Sequence, residues 1–285
     1  MSAEILHSFN KMSHSYAKNC ALQNEVAKIL VAFCDEFLRD SRKIIDLGAG
    51  SGNIAKNLCG KNVDFFLAID NAPNMIALHP QNLPHIARIK LLCCDFMDYD
   101  FSDECDLVLS SSALQWAKDL DLLFKKMADS AKKAQNMGES HNILDSRESR
   151  ESYESKILRE SRDSRKSRES CESKNLRKSH KPKRFAFAIF TSESLSALHA
   201  FLGTKSPLKS ATEILSTAQK YFCVKSKTQR FSIDFSTREA FLAYLKNGGL
   251  LGGGSLSFAQ KRRLRFGVPY LSADFEILFL KGVAK

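Results

Sequence analysis

The sequence predicts an α/β chain: a doubly wound, mostly parallel seven-stranded sheet with an antiparallel terminal strand. Three observations predict it. Short apolar runs alternate along the chain with stretches of helical periodicity. The first clear run, Ile44-Ile45-Asp46-Leu47, breaks into Gly48-Ala49-Gly50-Ser51-Gly52, which reads as a buried strand, a tight loop and a helix start. The last two runs, Arg230–Phe235 and Phe275–Leu280, read as a terminal hairpin.

With 285 residues and 44% hydrophobic content, the chain can build one large domain with a real core. A formal charge of +11 would suit an acidic partner, but much of the excess lies in one unusual segment and says little about the folded part. Eight cysteines lie scattered without a C-x-x-C pair, the pattern of reduced thiols in a cytoplasmic protein. No apolar stretch approaches the ~20 residues that span a bilayer.

In chain order, residues 5–20 hold Phe9, Tyr16 and two histidines, His7 and His14, neither with a metal ligand at the right spacing. Leu22, Val26, Leu30, Phe33 and Phe37 then recur at three- to four-residue steps, predicting one helix from Leu22 to Leu38 with the earlier segment as a cap or lid. Ile54 to Cys59 continues as a helix after the glycine loop. Val63 to Asp70 is the second strand, and Asp70 falls 20 residues beyond Gly50. In doubly wound folds an acid there accepts hydrogen bonds from the ribose hydroxyls of an adenosine; alone, it is an ordinary strand-end turn aspartate. Asn71 or Pro73 caps the next helix. Ile89 to Cys94 is the third strand, with Cys93 and Cys94 expected as small core residues. Asp95-Phe96 follows where an adenine would lie, with Asp95 placed to accept from its exocyclic amine. Cys105 to Ser110 is the fourth strand, and Ser111 to Trp116 leaves it at the ligand-binding edge. Trp116, the only tryptophan, is either core or pocket wall. Leu120 to Ala134 is a helix.

From Asp145 the chain falls into triplets such as Asp-Ser-Arg, Glu-Ser-Arg and Glu-Ser-Lys, ending near His180. That period matches neither a strand nor an α-helix and offers nothing to bury, so disorder is expected over 136–183. Arginines and glutamates alternate and largely cancel, which weakens the alternative of a nucleic-acid tether. Phe185 to Phe190 resumes the fold as the fifth strand. Helices follow over Leu195–Phe201 and Ala211–Phe222, then two pieces of strand, Phe222–Lys225 and Arg230–Phe235. Ser236 to Glu239 reads as a capping box opening a helix to Leu245. Gly252-Gly253-Gly254 lacks a following Lys-Ser/Thr and is not a phosphate loop. A basic run, Lys261 to Arg265, precedes the last strand.

Glycines spaced G-x-G-x-G with an aspartate two residues ahead differ from the dinucleotide fingerprint. The variant resembles motif I of class I S-adenosylmethionine-dependent methyltransferases, as do Asp70, Asp95-Phe96 and Ala113-Leu114-Gln115-Trp116. The ends resemble malonyl-acyl-carrier-protein O-methyltransferases, which open pimeloyl synthesis for biotin. The resembling segments are Phe9 to Tyr16, Ala21-Leu22-Gln23, Ser194 to Leu198, Leu245 to Gly249, and Tyr270 with Phe275 to Gly282. The resemblance implies a Rossmann-like methyltransferase domain over 41–135 and 184–285, a cap and first helix over 1–40, and an insertion over 136–183.

It also implies S-adenosylmethionine as cofactor, held by Asp46, Gly48, Ala49, Gly50, Gly52, Asp70, Asn71, Met75, Asp95, Phe96 and Ser110. The implied acceptor is the free carboxylate of a malonyl thioester on acyl carrier protein, an acidic partner. Tyr16 would close over the methyl group, with Gln115, Trp116 and Tyr270 shaping the pocket. One of Arg262, Arg263 and Arg265 would hold the malonyl carboxylate or the carrier, although a solvated helix face explains that cluster equally well. No catalytic acid, base or metal is expected, because a carboxylate is ionised at pH 7 and the leaving group is a neutral thioether. A monomer without nucleic-acid or membrane partners is the accompanying expectation. The competing readings are a methyltransferase for another small acid such as aconitate, and a binding protein that keeps the fold without turnover.

Overall fold

Strand β1 (Lys43–Leu47) takes the centre of the sheet because Ile44, Ile45, Asp46 and Leu47 are all buried, which only a strand covered on both faces allows. In the computed structural model, residues 21–101, 105–131, 183–248 and 256–285 are described. β1 runs parallel to β2 (Phe65–Asp70) on one side and to β4 (Leu107–Ser111) on the other. β3 (Ile89–Cys93) adds to β2, and β5 (Arg184–Phe190) to β4, both parallel. Beyond β5 lies β7 (Ser272–Ala284), antiparallel, and outside it β6 (Phe222–Asp234), giving the order β3-β2-β1-β4-β5-β7-β6. The chain leaves β1 toward β3 and returns to β4 on the other side, so the loops after β1 and β4 diverge. The crevice between them is the switch point at which doubly wound sheets bind ligands.

Two apolar layers sandwich the sheet. On one face lie α1 (Ala21–Phe33), α2 (Asp35–Leu38) and α3 (Asn53–Asn57), with Leu22, Val26, Leu30 and Ile54 buried. α4 (Pro73–Ile76), α6 (Ser196–Leu202) and α8 (Arg238–Gly248) add Ile76, Leu198 and Phe241 to the same cluster. The opposite face is covered by α5 (120–131) and α7 (Ala211–Tyr221), through Leu123, Phe124, Ile214 and Ala218. β5 divides its residues strictly between the layers: Phe185, Phe187 and Ile189 meet the second, Ala186, Ala188 and Phe190 the first. The alanines on that face leave room for α1 to pack directly on β5. α9 (Phe258–Phe266) buries no residue at all.

Several boundaries differ from the sequence expectation. The single helix over Leu22–Leu38 breaks at Cys34, which leaves the helical region at φ −108°, ψ 22°. Sγ of this buried thiol donates to Val31 O, and burial pushes its pKa up to about 12. The two strand pieces after Phe222 are one strand of thirteen residues. Ser226 to Thr228 is exposed at the sheet edge, so side-chain alternation lapses while the ladder to β7 continues. α8 is capped one residue later than expected: Thr237 Oγ1 accepts from Ala240 N (3.1 Å). Capping boxes stand instead at Ser210/Glu213 and Ser257/Gln260. Cys93 is exposed and Cys94 half-buried, because β3 is an edge strand. Among the described residues, no helix is long and apolar enough to cross a membrane.

Candidate functional site

The glycine loop after β1 is stapled to the end of β2. Gly48 N and Ala49 N both donate to Ile69 O (2.8 and 2.9 Å), and Gly50 N donates to Asp70 Oδ2 (2.8 Å). Asp70 Oδ1 accepts from Ala72 N (2.8 Å), so one carboxylate fixes both the loop and the turn into α4. Gly48, Gly50 and Gly52 sit at φ 72°, 51° and 82°, a region that side chains strain to enter. Gly48 is constrained twice, since a Cβ there would lie 2.2 Å from Ala113 Cβ. That contact is how closely the loops after β1 and β4 approach.

Between these loops opens a cleft whose empty volume, its open mouth included, is about 780 Å³. Of the residues singled out in the sequence, Asp46, Gly48, Ala49, Gly50, Asp70, Asn71, Met75, Phe96 and Trp116 line it. Gly52 lies behind the loop at the start of α3, against Pro80 and His79. Asp95 lies beside Phe96 with Oδ1 accepting from Met97 N (3.0 Å). Ser110 is fully buried, its hydroxyl donating to Leu47 O (2.6 Å) to tie β4 to β1, and the two following serines face the cavity instead. Gln115 Nε2 donates to Ser112 O (2.7 Å), which turns this side chain back on its own loop. Tyr270 and the arginines 262, 263 and 265 are not in the cavity wall, and Tyr16 lies outside the described residues. Lining residues that the sequence did not single out as site residues include Gln23, Asn53, Ser111 and Ser112. They lie within or beside segments that the sequence did mark, Ala21-Leu22-Gln23, the glycine loop and the stretch after β4.

Two carboxylates give the cavity its electrostatics. Asp46 is 1% exposed, and neither of its oxygens has a hydrogen-bond partner. Burial first, and then the Asp70 carboxylate, hold its pKa well above the usual range. Burial likewise raises Asp70, partly offset by the two backbone N–H groups it accepts. A buried acid with two orphaned oxygens is costly unless a cation arrives. The cavity is therefore pre-set for a ligand with a positive centre near β1 and a hydroxylated group near β2. S-adenosylmethionine has both, and Asp46 and Asp70 are the residues that would hold its cationic and ribose portions. Among the described residues, no group of three His, Cys, Asp or Glu side chains is placed to hold a metal ion.

Comparison with known proteins agrees with this geometry. Residues 45–135 match a family described as Methyltransferase domain. A malonyl-[acyl-carrier protein] O-methyltransferase of Halorhodospira halophila is 30% identical over 125 residues, covering 43% of this chain and only 42% of that protein's own length. A second protein of that name, from Chlorobium phaeovibrioides, is 23% identical over 270 residues, covering 90% of this chain and 84% of that one. The crystal structure of a SAM-dependent methyltransferase from Thermotoga maritima shares the fold, with TM-score 0.50 and 11% identity over 99% of this chain and 100% of that one. These matches, and the unpartnered Asp46 carboxylate beneath a glycine loop, make the chain similar to methyltransferases, with S-adenosylmethionine as the cofactor that the cavity suits.

Proposed function

We propose that the protein forms the methyl ester of a free carboxylate, that of a malonyl group carried as a thioester on acyl carrier protein. The observation behind the carboxylate is the cavity wall. Its only ionisable side chains among the described residues are Asp46 and Asp70, both spoken for by the donor. The β4 side offers only neutral groups, Gln23, Ser111, Ser112 and Trp116. An amine or hydroxyl acceptor needs a base to take its proton, whereas a carboxylate is already ionised at pH 7. When bound, the cofactor supplies a methyl group on a sulfonium whose leaving form is a neutral thioether. The chain then has to orient the acceptor in line and exclude water, which Trp116 and Phe96 do as apolar walls.

The malonyl group and the carrier are supported by the names of the two malonyl-[acyl-carrier protein] relatives and by α9. That helix presents Lys261, Arg262 and Arg265 to solvent, with Phe258 and Phe266 85% and 69% exposed. An acidic carrier fits such a surface, and Arg262, Arg263 and Arg265 then act on the carrier, outside the cavity. The test is a labelled methyl-transfer assay offering malonyl carrier protein, malonyl coenzyme A, free dicarboxylic acids and aconitate side by side. Ester formation on the carrier-linked malonyl group is the expected result. Transfer confined to a free acid would replace this acceptor with a small-acid one, and transfer to an amine would end the carboxylate reading.

A further inference from the structure

We infer that Gln23 binds the acceptor carboxylate through its amide N–H, and that Tyr244 is the positioning residue that fixes which end of this amide faces the cavity. The inference rests on the carboxylate reading above and names residues that reading does not supply.

Gln23 lies on α1, is 8% exposed, lines the cavity, and has an Oε1 without a hydrogen-bond partner. An amide so enclosed is costly with a group left unpaired, unless a ligand or neighbour completes it. The Tyr244 hydroxyl is also enclosed and unpartnered. The two side chains are neighbours, close enough for Gln23 to offset part of the upward shift that burial gives the Tyr244 phenol. Which end of a glutamine amide is oxygen is decided by its partners. With Tyr244 O–H donating to Gln23 Oε1, both orphans are satisfied and the amide N–H is turned to the cavity. Burial, the larger influence on this phenol, pushes its pKa up, so it remains a donor at any physiological pH.

The half of the cavity decides which ligand they meet. Asp70 ends β2, on the side toward β3. α1 packs on α3, β4, β5 and β7, the other half. Tyr244 packs on Phe235 and on Phe275 of β7, with ring centroids 5.2 and 6.0 Å away. Trp116, just after β4, closes the same side.

The chemistry favours a neutral donor. An oxygen lone pair of the acceptor carboxylate forms the O–CH₃ bond, the C–S bond breaks with its pair going to sulfur, and no proton moves. An amide N–H orients that carboxylate and leaves most of its charge available for attack, where a bidentate guanidinium would hold it back.

Five proteins test this: wild type, Gln23→Leu, Gln23→Glu, Tyr244→Phe and the Gln23→Leu/Tyr244→Phe double variant. Calorimetry gives each S-adenosylmethionine affinity, initial rates with malonyl carrier protein give KM and kcat, and thermal melts confirm folding. Cofactor affinity should stay within about threefold, KM should rise about tenfold in Gln23→Leu and further in Gln23→Glu, and Tyr244→Phe should raise it by less. In the double variant the tyrosine change should add nothing, a coupling that a purely structural role would not produce. An unchanged KM in Gln23→Glu overturns the inference, as does a loss of cofactor affinity in either Gln23 variant or additivity in the double variant. Failure of the carboxylate reading shows separately, as a wild type that esterifies none of the acids offered.

Discussion

Asp46 stands where sequence and physics disagree most. An aspartate in a strand buried on both faces has no local justification, since its neighbours Ile44, Ile45 and Leu47 are what that environment selects. Because burial and Asp70 hold its folded pKa above the unfolded value of about 4, the folded apoprotein binds a proton more tightly than the unfolded chain. Its contribution to stability is therefore full at low pH and is lost as pH rises from about 4 through the raised value. Asp70 acts in the same direction. Asp46→Asn should thus melt higher than wild type as apoprotein at pH 8, by roughly 2–4 °C per kcal/mol relieved. It should also bind S-adenosylmethionine about tenfold or more weakly, the loss of a charge-assisted contact. Differential scanning calorimetry at pH 5 and 8, with and without cofactor, checks both. Equal apoprotein melting points at pH 8 would mean that the carboxylate is not strained in the empty site. Gly48→Ala should remove cofactor binding, read by calorimetry, because the new Cβ meets Ala113 at 2.2 Å on a backbone of φ 72°. Asp46, Gly48 and Asp70 were legible because their chemistry sits at fixed spacing on consecutive elements. Gln23 falls in a resembling segment, Ala21-Leu22-Gln23, but it and Tyr244 lie more than two hundred residues apart, and only the packing of α1 and α8 on the sheet brings them together.

Elements were legible where one residue pattern served one environment. β5 alternates Phe and Ala because its two faces differ, and its limits were foreseen within one residue. β6 was not, because a backbone ladder can run through Ser226-Lys227-Thr228 without any buried side chain to announce it. The lysines and arginine on that edge, Lys225, Lys227 and Arg230, also discourage pairing with a further strand. α9 is the opposite case: its helix is set by the Ser257/Gln260 box, while nothing in it is buried. A helix held by its cap and a few contacts, such as Arg263 over the Phe201 ring at 4.9 Å, has exposed positions free for a partner. Phe258→Ser and Arg262→Glu should therefore leave the melting temperature within about 1 °C, since exposed substitutions stay within about 0.5 kcal/mol. If α9 meets the carrier, they should raise KM for malonyl carrier protein about five- to twentyfold while leaving malonyl coenzyme A unaffected. Steady-state kinetics with both acceptors make the comparison, and equal effects on the two would remove α9 from carrier docking.

At the scale of the whole molecule, β1 to β7 form one continuous sheet among the described residues on either side of 132–182. The chain enters that stretch from α5 and leaves it into β5, and its two ends are joined across their own side chains. Lys183 Nζ donates to Ser130 Oγ (2.7 Å) and to Phe101 O (3.3 Å). Lys183 thus ties the start of β5 to the end of α5 and to Phe101, so the described ends of the β4-to-β5 crossover lie together. Replacing 132–182 with a flexible linker of about eight residues shortens the closed loop by two to three doublings. For the unstructured stretch that the triplets predict, that change favours the folded state by about 1.5 kcal/mol at ~0.6 kcal/mol per doubling. The shortened protein should keep its S-adenosylmethionine affinity and its methyl transfer to malonyl carrier protein, and melt no lower than the parent. Loss of cofactor binding on excision would show that 132–182 completes the site. Loss of carrier methylation alone would show that the carrier is recognised partly by the triplets, and α9 would then not suffice as the docking surface.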